Sequence, residues 1–168
     1  MPGRIPTSRP LALGAHYLLD VTSRLLERGA SPAPLLGEVF GAARALDAPI
    51  VRTMASLVPA DPTSERALPG PGGRLGVIAL IAMEEILASA SRHGVALVLS
   101  LGNAWDDYGG ARALVGLAGL VAPRTNDPRA FVHPAVRALR RSFVSRLLSH
   151  RSRLDGHGFG ADRTGDAR

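Results

Sequence analysis

The sequence predicts an α/β fold with parallel strands, on three observations. Two short apolar runs, PIVRTMASL (49–57) and VALVLSL (95–101), suit buried strands. Segments with apolar residues at helical spacing lie between and after them. The joints from helix to strand are short, as alternation in a parallel sheet requires.

Each element follows in chain order. Residues 1–10, rich in Pro and Arg, read as a flexible tail, and 11–151 as the folded domain. LALGAHYLL (11–19) is expected to be a first short strand. In 31–48 the apolar positions Leu35, Leu36, Val39, Phe40, Ala43 and Leu46 share one helical face, with Ser31 or Pro34 marking the start. Ile50 and Val51 give the second strand its β-branched centre. DPTSERALPGPGG (61–73) is a loop by its Pro and Gly content. The helix over 75–94 is closed by His93 and a Gly94 C-cap, and it feeds directly into the third strand. Helices are expected over 111–122 and 133–151, the latter with an apolar stripe of Val136, Leu139, Phe143, Val144 and Leu147. Residues 152–168 read as a polar, flexible, glycine-rich tail. The order is β-α-β-α-β-α-α, with strands expected to be covered on both faces. A (β/α)₈ barrel takes about 250 residues, so the chain has room for less than half of one.

Composition bounds the function. A chain of 168 residues, 46% hydrophobic and 20% charged, suits one ordered domain. No apolar run approaches the roughly 18 residues of a membrane span, and no membrane partner is expected. The start only faintly imitates a signal peptide, which leaves localisation open. Cysteine is absent, so thiolate chemistry is excluded. The net charge is +6, and all 20 basic residues are arginine. Arginine favours phosphates, yet these are scattered and a pervasive Ala/Arg/Gly/Pro/Leu bias explains them equally well. Nucleic acid is therefore not the favoured partner. The histidines (16, 93, 133, 150 and 157) lack metal-ligand spacing. GPGGRLG (70–76) matches neither a dinucleotide fingerprint nor a P-loop. No cofactor and no metal are expected.

In such folds functional groups gather where strands end. The first strand candidate ends at His16 and Tyr17, and the second carries Arg52 and Thr53. The third leads into Asn103, Trp105, Asp106, Asp107 and Tyr108. Parallel neighbours would bring these to one rim. Trp105 and Tyr108 offer either loop packing or a flat apolar face for a sugar ring. Asn103 and the aspartates would then bond hydroxyls. Asp106 and Asp107 are adjacent, a poor arrangement for a glycosidase pair needing carboxyls about 5–9 Å apart. Asp107 equally suits an N-cap.

Two stretches, LGEVFGAARALDAPIVRTMASL and AMEEILASASRHGVALVLSLGNAWDDYGG, resemble the N-terminal part of endo-β-1,4-mannanases of glycoside hydrolase family 5. That family has a strand ending VRTW, a helix ending HG, and a loop of the form NNWDDYGG. The similarity spans about 11–151. It implies part of a (β/α)₈ TIM barrel, about the first three β/α units, from an enzyme cleaving β-1,4-mannosidic bonds with retention through two glutamates. Carried over, Arg52 matches the arginine supporting the nucleophile, and Asn103 and Trp105 match the substrate-cleft loop. Met54, Ala104, His16 and Arg163 depart from the family pattern. The glutamates, Glu27, Glu38, Glu65, Glu84 and Glu85, fit neither catalytic position. No catalytic residue is therefore assigned. The expectation is an N-terminal fragment or truncated relative, inactive alone, binding mannan-type poly- or oligosaccharide through Tyr17, Arg52, Asn103, Trp105, Asp107 and Tyr108. Self-association through open sheet edges is also expected. The alternatives are a non-catalytic carbohydrate-binding or interaction module and, more weakly, an arginine-rich nucleic-acid binder.

Overall fold

The computed structural model describes residues 11–121, 131–154, 156, 158 and 159. The tail expected over 1–10 lies outside the described residues. So do 122–130, His157 and the distal stretch 160–168 with Arg163.

Three parallel strands form one sheet in the order β1 (Ala12–Gly14), β2 (Ile50–Met54), β3 (Ala96–Ser100). Leu13, Val51 and Leu97 stand in one register row. The helices are α1 (Leu18–Glu27), α2 (Ala33–Ala45), α3 (Val77–Arg92), α4 (Ala111–Leu117) and α5 (Pro134–Ser149), with a 3-10 turn at Pro71–Gly73.

Two expectations change. The first strand stops at Gly14, and Leu18 and Leu19 already belong to α1. Its buried stripe is Leu18, Leu19, Thr22 and Ser23, with Leu26 packed against the same core. The strands are also not covered on both faces. Val51 and Thr53 are fully buried, whereas Ala12, Gly14, Arg52, Ala96 and Val98 are exposed. One side of the sheet carries the helices, and the other stands open.

The core lies on the covered side. Leu18 and Leu19 of α1, Leu36 and Phe40 of α2, and Leu80, Met83 and Ile86 of α3 meet Val51 there. α3 is the hub, packing on α1, α2 and β3. Its end is as expected: Gly94 takes φ +62°, and the Val95 N–H donates to the Ala90 carbonyl at 3.0 Å. Its start uses a remote cap. The Val77 N–H donates to Glu65 Oε2 at 2.8 Å, and Arg74 Nη1 donates to Oε1 at 2.6 Å. The Val77 amide first, and then Arg74, hold the Glu65 carboxyl below its usual range. Arg66, in the same loop, ties it to Asp20 and Ser23 of α1.

α5 buries the expected Val136, Leu139, Phe143 and Leu147. Val136 and Leu139 form a second cluster with Leu114 and Val115 of α4. Beyond α5, the buried Glu84 carboxylate meets His150 Nε2 at 2.8 Å and accepts the Arg153 N–H at 3.2 Å. Phe159 packs edge-on to the His150 ring. Part of the segment expected as a tail is thus docked on α3.

Candidate functional site

Parallel pairing points the C-terminal ends of all three strands to one rim. After β1 the chain turns at once into α1, leaving His16 half-buried and Tyr17 exposed at the turn. On the open face of β2, Arg52 Nε donates to Ser100 Oγ at 2.9 Å, so its guanidinium reaches across to the end of β3. Its neighbour Thr53 points to the covered face and is fully buried. Thr53 therefore does not reach the rim, contrary to its sequence placement beside Arg52.

The loop between β3 and α4 joins the other two strand ends. The Trp105 ring, 62% exposed, stands with its centroid 6.4 Å from that of His16, tilted by 39°. Tyr108 is bound from the β2 side, where Ser56 Oγ donates to its carbonyl at 2.9 Å. Within the loop, Asn103 Oδ1 accepts the Trp105 N–H at 2.7 Å and Nδ2 donates to the Asp107 carbonyl at 3.0 Å. The chain then closes on itself. A Cβ on Gly110 would stand 1.5 Å from the Trp105 carbonyl oxygen, so only glycine fits. Gly110 is also the N-cap of α4, without a side-chain cap, so Asp107 does not cap that helix.

The structure thus brings Tyr17, Arg52, Asn103, Trp105, Asp107 and Tyr108 to the same end of the sheet. Between the loop and the segment following β2 lies a cleft of about 570 Å³, lined by Val58, Asp61, Arg66, Asp107 and Tyr108 among others. Asp61 there accepts from the Thr63 hydroxyl at 2.6 Å and the Thr63 N–H at 2.9 Å, which lowers its pKa in that order of effect. Ser56 carries no signal in the sequence, because its partner is a backbone carbonyl far along the chain.

None of the glutamates stands at a strand end. Glu27 closes α1 and Glu38 lies on α2. Glu65 caps α3, while Glu84 and Glu85 lie within it. Among the described residues no cluster of His, Asp and Glu is arranged to hold a metal ion.

No family model matches the chain. It is 37% identical over 86 residues to mannan endo-1,4-beta-mannosidase 2 of Oryza sativa subsp. japonica, covering 49% of this chain and 19% of that protein. It is 38% identical over 73 residues to a probable mannan endo-1,4-beta-mannosidase A of Aspergillus clavatus, covering 42% and 20%. The matched region spans about a fifth of each relative's length. A glycoside hydrolase family 5 mannosidase of Rhizomucor miehei, solved with mannosyl-fructose, superposes with TM-score 0.72 at 15% identity, over 90% of this chain and 41% of its own. The endo-1,4-beta-mannanase of the same organism gives 0.65 at 20% identity, over 90% and 40%. The fold is therefore α/β, matching part of the (β/α)₈ barrel of those enzymes. In sequence the chain is mannanase-like, a relative of glycoside hydrolases.

Proposed function

From this kinship, we propose that the rim at the strand ends is part of a carbohydrate-binding surface that takes β-1,4-linked mannan-type chains. Trp105 supplies the platform, an exposed indole on a tightly closed loop, stacking on the apolar face of a pyranose ring. Arg52, anchored at Ser100, and the carboxylate of Asp107 bond hydroxyls, while Tyr17 and Tyr108 are assigned to the same surface. The observation that carries the reading is the convergence of His16, Ser56 and the 103–110 loop at one end of a parallel sheet.

The chain is further proposed to bind without cleaving. Retaining hydrolysis needs two carboxyls about 5 Å apart across the bond, whereas Glu65 caps a helix, Glu84 and Glu27 pair with His150 and Arg66, and Glu38 and Glu85 lie on α2 and α3. Calorimetric titration with mannohexaose and a reducing-end assay on the same sample test both halves. Saturable binding is expected, weakened roughly tenfold or more (about 1.4 kcal/mol or more) by Trp105→Ala, with no new reducing ends. Heat of dilution alone would refute the binding, and release of mannobiose would refute the absence of chemistry.

A further inference from the structure

Trp105 is largely exposed, and among the described residues its ring meets one aromatic neighbour, a tilted His16 at 6.4 Å. Packing therefore does little to fix its orientation, and the loop backbone must do it. Three restraints act on that backbone. Asn103 accepts from the Trp105 N–H and, with the other end of the same amide, donates to the Asp107 carbonyl. This is a cross-brace over four residues, the kind of local side-chain bond by which Asn organises turns. Tyr108 adopts φ +55°, a region that bulky residues rarely occupy. Ser56 holds that conformation from β2's end by donating to the Tyr108 carbonyl at 2.9 Å. Gly110 completes the closure against the Trp105 carbonyl.

We infer that Asn103 and Ser56 are positioning residues that pre-set the Trp105 indole for a sugar ring. The inference rests on the carbohydrate reading above, and it moves Asn103 from direct contact with hydroxyls to control of the platform. Both ends of its amide are engaged inside the loop, so its effect on a ligand is transmitted through Trp105. Ordering an exposed side chain before binding removes an entropic cost from the binding step.

Trp105 is the chain's one tryptophan, so its fluorescence reports this loop alone. Anisotropy and acrylamide quenching are measured without sugar on the wild type, Asn103→Ala, Asn103→Asp and Ser56→Ala. Circular-dichroism melts are run alongside. Mannohexaose titrations follow. Asn103→Ala is expected to lower the anisotropy, raise the quenching constant about twofold, and weaken mannohexaose binding roughly fivefold to tenfold. Asn103→Asp keeps the acceptor for the Trp105 N–H and should restore part of each, with the melt unchanged. Ser56→Ala should shift the same readouts in the same direction. An indole as ordered in Asn103→Ala as in the wild type overturns the inference, with or without lost binding. If Asn103→Ala does not fold, the decision passes to Asn103→Asp and Ser56→Ala, and a wild-type indole in both overturns it. Should the indole loosen as expected while the wild type ignores mannohexaose, the positioning role stands and the carbohydrate reading falls.

Discussion

Glu65 shows how one carboxylate organises two elements. It caps α3 through the Val77 N–H and holds Arg74 in the loop before it. Its pKa is lowered in the folded chain, so the stability it contributes is present above the ordinary carboxylate pKa. That contribution is lost as pH falls through the lowered value. Asp61, lowered by Thr63, acts in the same direction. Both groups are exposed, so each effect is small. Thermal melts from about pH 7 down to about pH 3 should show the wild type losing more melting temperature than Glu65→Gln. Parallel curves for the two would show that the cap contributes nothing. The site residues divide by how far their partners lie. The sequence carries Trp105, Asn103 and Tyr108 in one short motif, and each is found on the rim. Ser56 and the burial of Thr53 depend on contacts between distant segments, which no local spacing encodes.

At the scale of elements, α3 organises the domain through small residues. Ala79, Ala82 and Ala90 are fully or almost fully buried beside Met83 and Ile86, which lets α1, α2 and β3 approach the helix axis. Ala82→Leu inserts volume where there is none and should destabilise by about 1–3 kcal/mol, a shift of several degrees in the melt. An unchanged melt would mean that α3 is not closely packed. The legible elements were those with clean apolar periodicity or a glycine stop, namely α2, α3 ending at Gly94, α5, β2 and β3. α1 carries a clear amphipathic pattern, with Leu18, Leu19 and Leu26 toward the core and Arg24 and Glu27 exposed. A single strand over 11–19 cuts across that pattern, because the apolar pair Leu18-Leu19 continues the apolar run of β1 in sequence. The open sheet face was hidden because Ala96 and Val98 are apolar yet exposed.

The whole molecule presents an unusual surface. Among the described residues β1 and β3 each have one strand neighbour, and the face bearing Ala12, Ala96 and Val98 has no layer over it. Unpaired edges and uncovered apolar faces favour association. Sedimentation velocity over a concentration series should therefore show species larger than the monomer, reduced by Val98→Lys. A monomer at every concentration would remove this expectation. The same open face carries Arg52, so any layer covering it has to accommodate a guanidinium.

Under the proposed function, the indole at the strand ends receives a mannan chain. With a single tryptophan, the protein gives one indole Nε1–H resonance in a ¹H–¹⁵N correlation spectrum. Titration with mannohexaose should move that resonance saturably, with Arg52 side-chain signals following, while an unrelated soluble polymer leaves it in place. An indole resonance that stays fixed at millimolar mannohexaose would rule out carbohydrate binding at Trp105.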